Sequence, residues 1–371
     1  MQNIVALIYS SEYEESNYDS LCKVRPDYML PFAGRYRIID FALSNISNYN
    51  ITSVVLYAGS NLRSTLDHVG DGKNWELNRR RDGLRIYPPI YNKRGRNSEI
   101  ETYYSSMKFF EDSNREYVYI TNPMYITKVD ISDAYERMLS EDLDCLVFSN
   151  KVKDDYGFYL NRRMINLDEN GEPVGLGTNL GLQEEIELFT GSILLKKSIF
   201  MDLLRYSIER NNADTMLEAI FKYPKEISTG LYRSSSTLQV IQDTLSYYEA
   251  NRKLLDRDYF NELFYENGMV YTKSKDEPST EYIKDSVVKN SLVANGAIIE
   301  GDIENSIIFR GVTVKKGAVI KNSIIFQDTV VGEGSILNNV ITDKDTIIGD
   351  DVHLFGNRIH PFLTEKGEHI N

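Results

Sequence analysis

Thirty-three residues pass before the first glycine, Gly34, although the chain opens on an apolar strand-like run, Ile4-Val5-Ala6-Leu7-Ile8. A loop that wraps phosphate after such a strand needs glycines, which reach positive φ without steric cost and let backbone N–H groups approach the anion. Here the run leads instead into Tyr9, Ser10, Ser11, Glu12, Tyr13, Glu14 and Glu15, with Asp19 beyond. Two unit charges ~4 Å apart repel by about 1 to 4 kcal/mol, depending on dielectric. A triphosphate would face several such carboxylates, so ordinary ATP binding is excluded at this loop.

Cysteine is scarce as well. Cys22 and Cys145 stand far apart and in no metal-ligand spacing, so they read as reduced structural thiols of a cytosolic protein. No apolar run approaches a membrane span, and the opening lacks a charged-then-apolar signal pattern. A cytoplasmic location is expected, with no membrane partner. Basic residues are outnumbered, 42 against 55 acidic, and the net charge of −13 argues against non-specific binding of nucleic acid. Tyrosine is in surplus at 26, for which the sequence alone gives no reason beyond packing.

The length of 371 residues suits two or three domains. In the first part, β-rich runs alternate with helical stretches: Ile4–Ile8, helical Ile38–Tyr49, strand-like Ser53–Tyr57, helical Ile100–Asp112, strand-like Tyr117–Ile120, helical Ile131–Ser140 and strand-like Cys145–Phe148. This order predicts an α/β fold with an open, mostly parallel sheet, whose ligands lie beyond the carboxyl ends of the strands. Asp243 is placed to cap a helix over Asp243–Asp256. The expected domains are 1–256, a connector at 257–282, and 283–371.

The last of these contains a repeat. Its copies are Lys289–Val293, Glu304–Ile308, Lys321–Ile325 and Leu337–Ile341, with asparagines at 290, 305, 322 and 338. A six-residue period runs inside it through Val312, Ala318, Ile324, Val330 and Ile336. Three six-residue faces per coil predict a parallel β-helix of hexapeptide repeats. Such a module occurs in acyltransferases, which need a positioned histidine as general base. His68, His353, His360 and His369 are isolated or lie toward the end of the chain, and only His353 is a candidate, so the structural reading is preferred.

Residues 32–45, Phe-Ala-Gly-Arg-Tyr-Arg-Ile-Ile-Asp-Phe-Ala-Leu-Ser-Asn, resemble a block of the ADP-glucose pyrophosphorylases, the glucose-1-phosphate adenylyltransferases of glycogen and starch synthesis. The likeness covers nearly the whole chain. It implies a Rossmann-like nucleotidyltransferase domain followed by a left-handed parallel β-helix, and a chemistry that uses ATP, glucose 1-phosphate and magnesium. In that family a glycine-rich turn follows the opening strand, and it is missing here. The family also supplies one metal-binding aspartate after a central strand, where this chain reads Thr121-Asn122-Pro123-Met124-Tyr125 with no acidic residue between Glu116 and Asp130. Asp130 matches a different, later aspartate. Counting back from Tyr248-Glu249-Ala250-Asn251 puts Val240 at the second metal-binding aspartate, and residues 233–242 hold no carboxylate.

Three further motifs are degraded. Asp27-Tyr28-Met29 stands where the family has a substrate-side Lys-Pro-Ala, Gly95–Ile100 where it has a nucleotide-pocket turn, and Gly175–Asn179 where it has a sugar-phosphate Glu-Lys-Pro. Asp155-Tyr156-Gly157 resembles the family's turn near the sugar site, and is either a residual sugar site or an ordinary turn. No catalytic residue, metal ligand or cofactor is expected, magnesium entering only if the chain is active by other ligands.

The chain in particular resembles the D-type regulatory subunits of Firmicute glycogen biosynthesis. The resemblance implies a non-catalytic subunit that tunes a catalytic paralogue in a hetero-oligomer, with homo-oligomers as the alternative assembly. A weakly or fully active adenylyltransferase is the alternative function. Arg25, Arg35 and Arg37 fall near an allosteric phosphate pocket of the family, where a sugar-phosphate or nucleotide effector would bind, although Val24 replaces that pocket's lysine. Arg37 could equally form a structural pair with Asp40. The basic run Arg79-Arg80-Arg81, continued by Arg85, Lys93, Arg94 and Arg96, is either an anion or partner site or, preferably, a solvated loop.

Overall fold

A computed structural model describes residues 3–10, 12–80, 82–90, 98–154, 157–266 and 268–371. The chain forms two compact units. The first comprises Met1–Ser11, Phe41–Val240 and Glu266–Tyr271; the second comprises Glu12–Asp40, Ile241–Tyr265 and Thr272–Asn371. The units cut across the sequence boundaries, because residues 12–40 and 241–265 pack with the C-terminal coils rather than with the sheet whose strands flank them.

The first unit is built on a mixed sheet of nine strands among the described residues. Ile4–Ile8 lies between Ser53–Tyr57 and Tyr117–Thr121, parallel to both, and Gly83–Tyr87 continues the parallel edge. Glu185–Lys196 pairs antiparallel with Tyr117–Thr121 and with Cys145–Lys153, and Thr229–Arg233 closes that side parallel to Cys145–Lys153. Val5, Leu7, Val55, Val118, Ile120, Cys145 and Val147 are all buried, as near-continuous apolar runs in a sheet covered by helices demand. Helix Ile131–Ser140 starts on Asp130, whose carboxylate accepts the Asp133 N–H at 3.0 Å. The stretch expected as one helix over Ile100–Asp112 is two, Glu99–Tyr104 and Met107–Asp112. The break lies where Ser105 and Ser106 turn their hydroxyls back onto the carbonyls of Thr102 and Tyr103, at 2.6 and 2.9 Å.

The second unit contains the β-helix. Three parallel sheets of short strands stack coil on coil, and Ile299, Ile303, Ile308, Val314, Ile320, Ile325, Val331, Leu337 and Ile348 fill the interior. Coils turn through left-handed asparagines at 290, 305, 322 and 339. The fourth is therefore Asn339 and not Asn338, and its side-chain amide donates to Asn338 Oδ1 at 3.3 Å. The six-residue column also slips: Val312, Ala318 and Ile324 are buried, whereas Val330 and Ile336 are only half-buried. Paired rungs such as Thr313 and Val330 are 17 residues apart, so a strict step of six drifts by one residue per turn and crosses the wall. Asp243 caps helix Thr244–Lys253 in a capping box with Ser246.

Candidate functional site

The carboxyl ends of Ile4–Ile8, Ser53–Tyr57 and Gly83–Tyr87 converge on a cluster of tyrosines. The Tyr9 N–H donates to the Thr121 carbonyl at 3.2 Å, and its ring meets Tyr103 edge-on at 5.8 Å. Tyr57 stacks on Tyr87 at 5.7 Å and tilts against Tyr103 at 5.2 Å. The Tyr57 hydroxyl is 2.5 Å from Ser106 Oγ, and burial pushes its pKa up. These rings fill the strand ends where a nucleotide would lie in an open α/β sheet. They also account for part of the tyrosine surplus. A carboxyl beside them, Glu99, is pushed up to about 7, chiefly by burial and against the Tyr103 hydrogen bond that favours its charged form.

The acid-free segment after the central strand meets Val240 in the fold. Tyr125 and Val240 are direct partners in a short antiparallel ladder between Tyr125–Ile126 and Gln239–Val240. Val240 is buried in a cluster with Ile186, Leu188 and Leu238, packed by Tyr125, Val152, Tyr159 and Met164. Met124 is buried as well. Among the described residues no group of three or more His, Cys, Asp or Glu is placed to hold a metal. An apolar cluster offers a divalent cation no oxygen ligand, so the residues present do not fit magnesium.

On the sugar side, Gly157 turns at φ +73, while Asp155 and Tyr156 lie outside the described residues. The sequence did not point to the group that organises this turn. The buried Asn179 donates to the Asp154 carboxylate at 2.7 Å and to the Tyr159 carbonyl at 2.9 Å. Asp154 also accepts the Tyr159 N–H at 3.1 Å. Asn179 and Asp154 thus hold each other in place within the turn. Next to Tyr125, Gly191 sits at φ +73, and a Cβ there would meet Tyr125 Cδ2 at 2.8 Å, which explains glycine at this position.

In the second unit the expected effector residues separate into different roles. Arg25 is buried and makes a two-pronged pair with Asp343, Nη2 to Oδ1 at 2.7 Å and Nη1 to Oδ2 at 3.0 Å. Its Nη1 also donates to the Leu21 carbonyl at 2.9 Å. The Arg37 guanidinium donates to the Met29 carbonyl at 2.5 Å, and Asp40 accepts the Arg37 backbone N–H at 3.0 Å. Arg35 is exposed and lies over the Tyr36 ring at 5.4 Å. The residue that sequence reasoning missed is Lys344. Burial pushes its pKa down to about 7, and the positive charges of Arg37, Arg25 and Lys275 add to the effect against Asp343. Lys344 and Lys275 carry no motif, and only the coil geometry brings them near Arg37. Arg37, Arg25 and Lys275 thus gather positive charge about Lys344, with Asp343 and, 3.7 Å from Lys275, Glu277 as carboxylates beside them.

The basic run belongs to the first unit. Arg79 and Arg80 are exposed, with Arg79 Nε donating to the Glu76 carbonyl at 3.1 Å, and Arg81 lies outside the described residues, as do Lys93, Arg94 and Arg96. Arg85 covers the Phe109 ring at 4.7 Å.

Residues 278–358 match a family model described as GlmU-like, C-terminal hexapeptide. Over 320 residues the chain is 33% identical to "Glycogen biosynthesis protein GlgD" of Geobacillus stearothermophilus, covering 85% of this chain and 82% of that one. The protein of the same name from Bacillus subtilis (strain 168) is 31% identical, over 86% and 82% of the two chains. The chain belongs to the ADP-glucose pyrophosphorylase family. A family member named "Glucose-1-phosphate adenylyltransferase" from Clostridium perfringens (strain 13 / Type A) is 28% identical over 86% of this chain and 82% of its own. Within the family, this chain combines the sheet and the β-helix with tyrosines at the strand ends and an apolar cluster around Val240. Among its described residues no helix is long and apolar enough to cross a membrane.

Proposed function

We propose that the chain is a non-catalytic regulatory subunit in bacterial glycogen biosynthesis, which binds a catalytic paralogue and tunes its synthesis of ADP-glucose. The observation that carries the reading is the buried apolar cluster around Val240, paired through Tyr125 with a segment that has no acidic residue between Glu116 and Asp130. Adenylyl transfer needs a cation to neutralise the phosphates and carboxylates to hold it. The tyrosine cluster supports the same reading, because it fills the nucleotide end of the sheet with neutral hydroxyls. The relatives named for glycogen biosynthesis supply the pathway.

An anionic effector, a sugar phosphate or a nucleotide, would bind at Arg37, Lys344 and Lys275, with Arg25 as a structural brace behind them. Regulation then needs only a difference in affinity between two states of the assembled subunits. A coupling of about 1–3 kcal/mol changes activity or effector affinity roughly 5- to 150-fold. Equilibrium dialysis of the chain against MgATP, together with co-sedimentation with the catalytic paralogue, tests the proposal. No saturable MgATP binding and a stable mixed complex are expected; tight MgATP binding without a mixed complex would overturn it.

A further inference from the structure

After Val240 the chain belongs to the second unit, with one exception: Glu266–Tyr271 returns to the first. Residues 268–271 of this return lie in no helix or strand, and side chains of the first unit hold their backbone. Two of these side chains come from helix Ile39–Asn48. Ser44 Oγ accepts the Tyr271 N–H at 2.8 Å and donates to the Tyr271 carbonyl at 3.3 Å, and Asn48 Nδ2 donates to the Met269 carbonyl at 2.9 Å. The third is Lys128, whose ammonium donates to the Gly268 carbonyl at 2.6 Å. Gly268 turns at φ +99 close against the helix, where a Cβ would meet Asn48 Cγ at 2.6 Å. Val270 is buried, while Met269 and Tyr271 are exposed.

We propose that Glu266–Tyr271 is a releasable strap and that Lys128 is its latch, so that the strap leaves helix Ile39–Asn48 while the sheet stays folded. Lys128 is 4% exposed, and among the described residues its ammonium has one hydrogen-bond acceptor, the Gly268 carbonyl. Burying an ammonium with so few partners is costly, and burial pushes the Lys128 pKa down to about 8. An apolar side chain would fill the same space at less cost, so what accounts for a lysine here is its charge-assisted bond to the strap. A segment held by side chains and one buried valine opens more readily than strands paired along their backbones. The latch also connects to the rest of the unit. Tyr125–Ile126 pairs with Gln239–Val240, where the chain leaves the first unit, and the Thr127 carbonyl accepts Asn45 Nδ2 of the strap-holding helix at 3.2 Å. A shift of that short ladder therefore reaches the strap through Thr127 and Lys128. The inference concerns the chain by itself and does not depend on its regulatory role.

Hydrogen–deuterium exchange of the full chain, read by mass spectrometry at one fixed pH and joined to urea unfolding, tests it. In the wild-type chain the Tyr271 amide is expected to be protected, but less than the amides of Tyr117–Thr121. Lys128→Met should speed exchange across residues 268–271 at least about tenfold, leave Tyr117–Thr121 unchanged, and keep or raise the urea midpoint. A lysine that only supports the fold would instead lower the midpoint and speed exchange everywhere. Ser44→Ala, which removes the acceptor of the Tyr271 N–H, should speed exchange of the strap independently, with the sheet unchanged. Free-peptide exchange of residues 268–271 in the wild-type chain overturns the proposal, as does a Lys128→Met strap as protected as wild type. So does a Lys128→Met chain that unfolds or loosens throughout, or a strap that in both variants opens only together with the sheet.

Discussion

Arg25 and Asp343, 318 residues apart in sequence, lock together through paired hydrogen bonds of 2.7 and 3.0 Å, with their side chains 3% and 1% exposed. The guanidinium expected at an anion pocket is thus neutralised by the chain's own carboxylate. The pair joins the segment after the first strand to a coil of the β-helix within one unit. It leaves Arg37, Lys344 and Lys275 as the groups that would receive an anion.

Removing one member of a buried ion pair strands the other, which costs about 3–5 kcal/mol. Asp343→Asn is therefore expected to lower unfolding stability by that amount in a urea titration. Sulfate should restore more stability to Asp343→Asn than to the wild-type chain, because it can replace the lost carboxylate at Arg25. The double variant Arg25→Met with Asp343→Leu should lose less than either single change.

Lys344 makes stability depend on pH. Its pKa in the folded chain is pushed down to about 7 by burial and by the nearby Arg37, Arg25 and Lys275, while an unfolded lysine titrates near ~10.4. Between these values the unfolded chain holds a proton that the folded chain has released. Stability from this group therefore rises with pH across that window, and its penalty is largest below about 7. Lys344→Met should stabilise the chain near neutral pH and flatten this rise. A bound anion favours the charged lysine, so phosphate binding should take up a proton and weaken as pH rises above about 7; calorimetry in buffers of different ionisation heat measures the uptake.

Val240→Asp asks whether the lost metal position can be refilled. The substitution places a carboxyl among Ile186, Leu188 and Leu238. Burial without partners should cost at least ~2 kcal/mol. Thermal unfolding with and without magnesium should show a lower midpoint and no metal-dependent recovery.

The tyrosine cluster is expected to be structural. Truncating Tyr57 to alanine removes a buried ring packed on Tyr87 and Tyr103. A loss of about 3–5 kcal/mol follows by analogy with other large aromatic truncations. Urea unfolding measures the loss, and calorimetry with MgATP should show no gain in binding, since the tyrosine fill is only one of several defects in the site.

Much of the fold was legible because it is local. Ser53–Tyr57 and Ile131–Ser140 could be read from apolar runs and periodicity, and the Asp243 cap from residue type at a helix start. The repeat announced a β-helix, but coils that are not multiples of six moved Val330 and Ile336 to the outer wall. Two seryl hydroxyls broke the helix expected over 100–112, an effect that periodicity does not register. That residues 233–242 hold no carboxylate was plain in the sequence, whereas the packing of Val240 was not, because Ile186 and Leu188 arrive from a distant strand. Lys344 stayed hidden for the same reason. Its significance lies in the charges that folding collects around it.

ADP-glucose synthesis from ATP, glucose 1-phosphate and magnesium, assayed for this chain alone, for its catalytic paralogue alone and for the two mixed, tests the central claim most directly. The account predicts no turnover by the chain alone, and a higher rate or an altered effector response in the mixture. Robust turnover by the chain alone would contradict it.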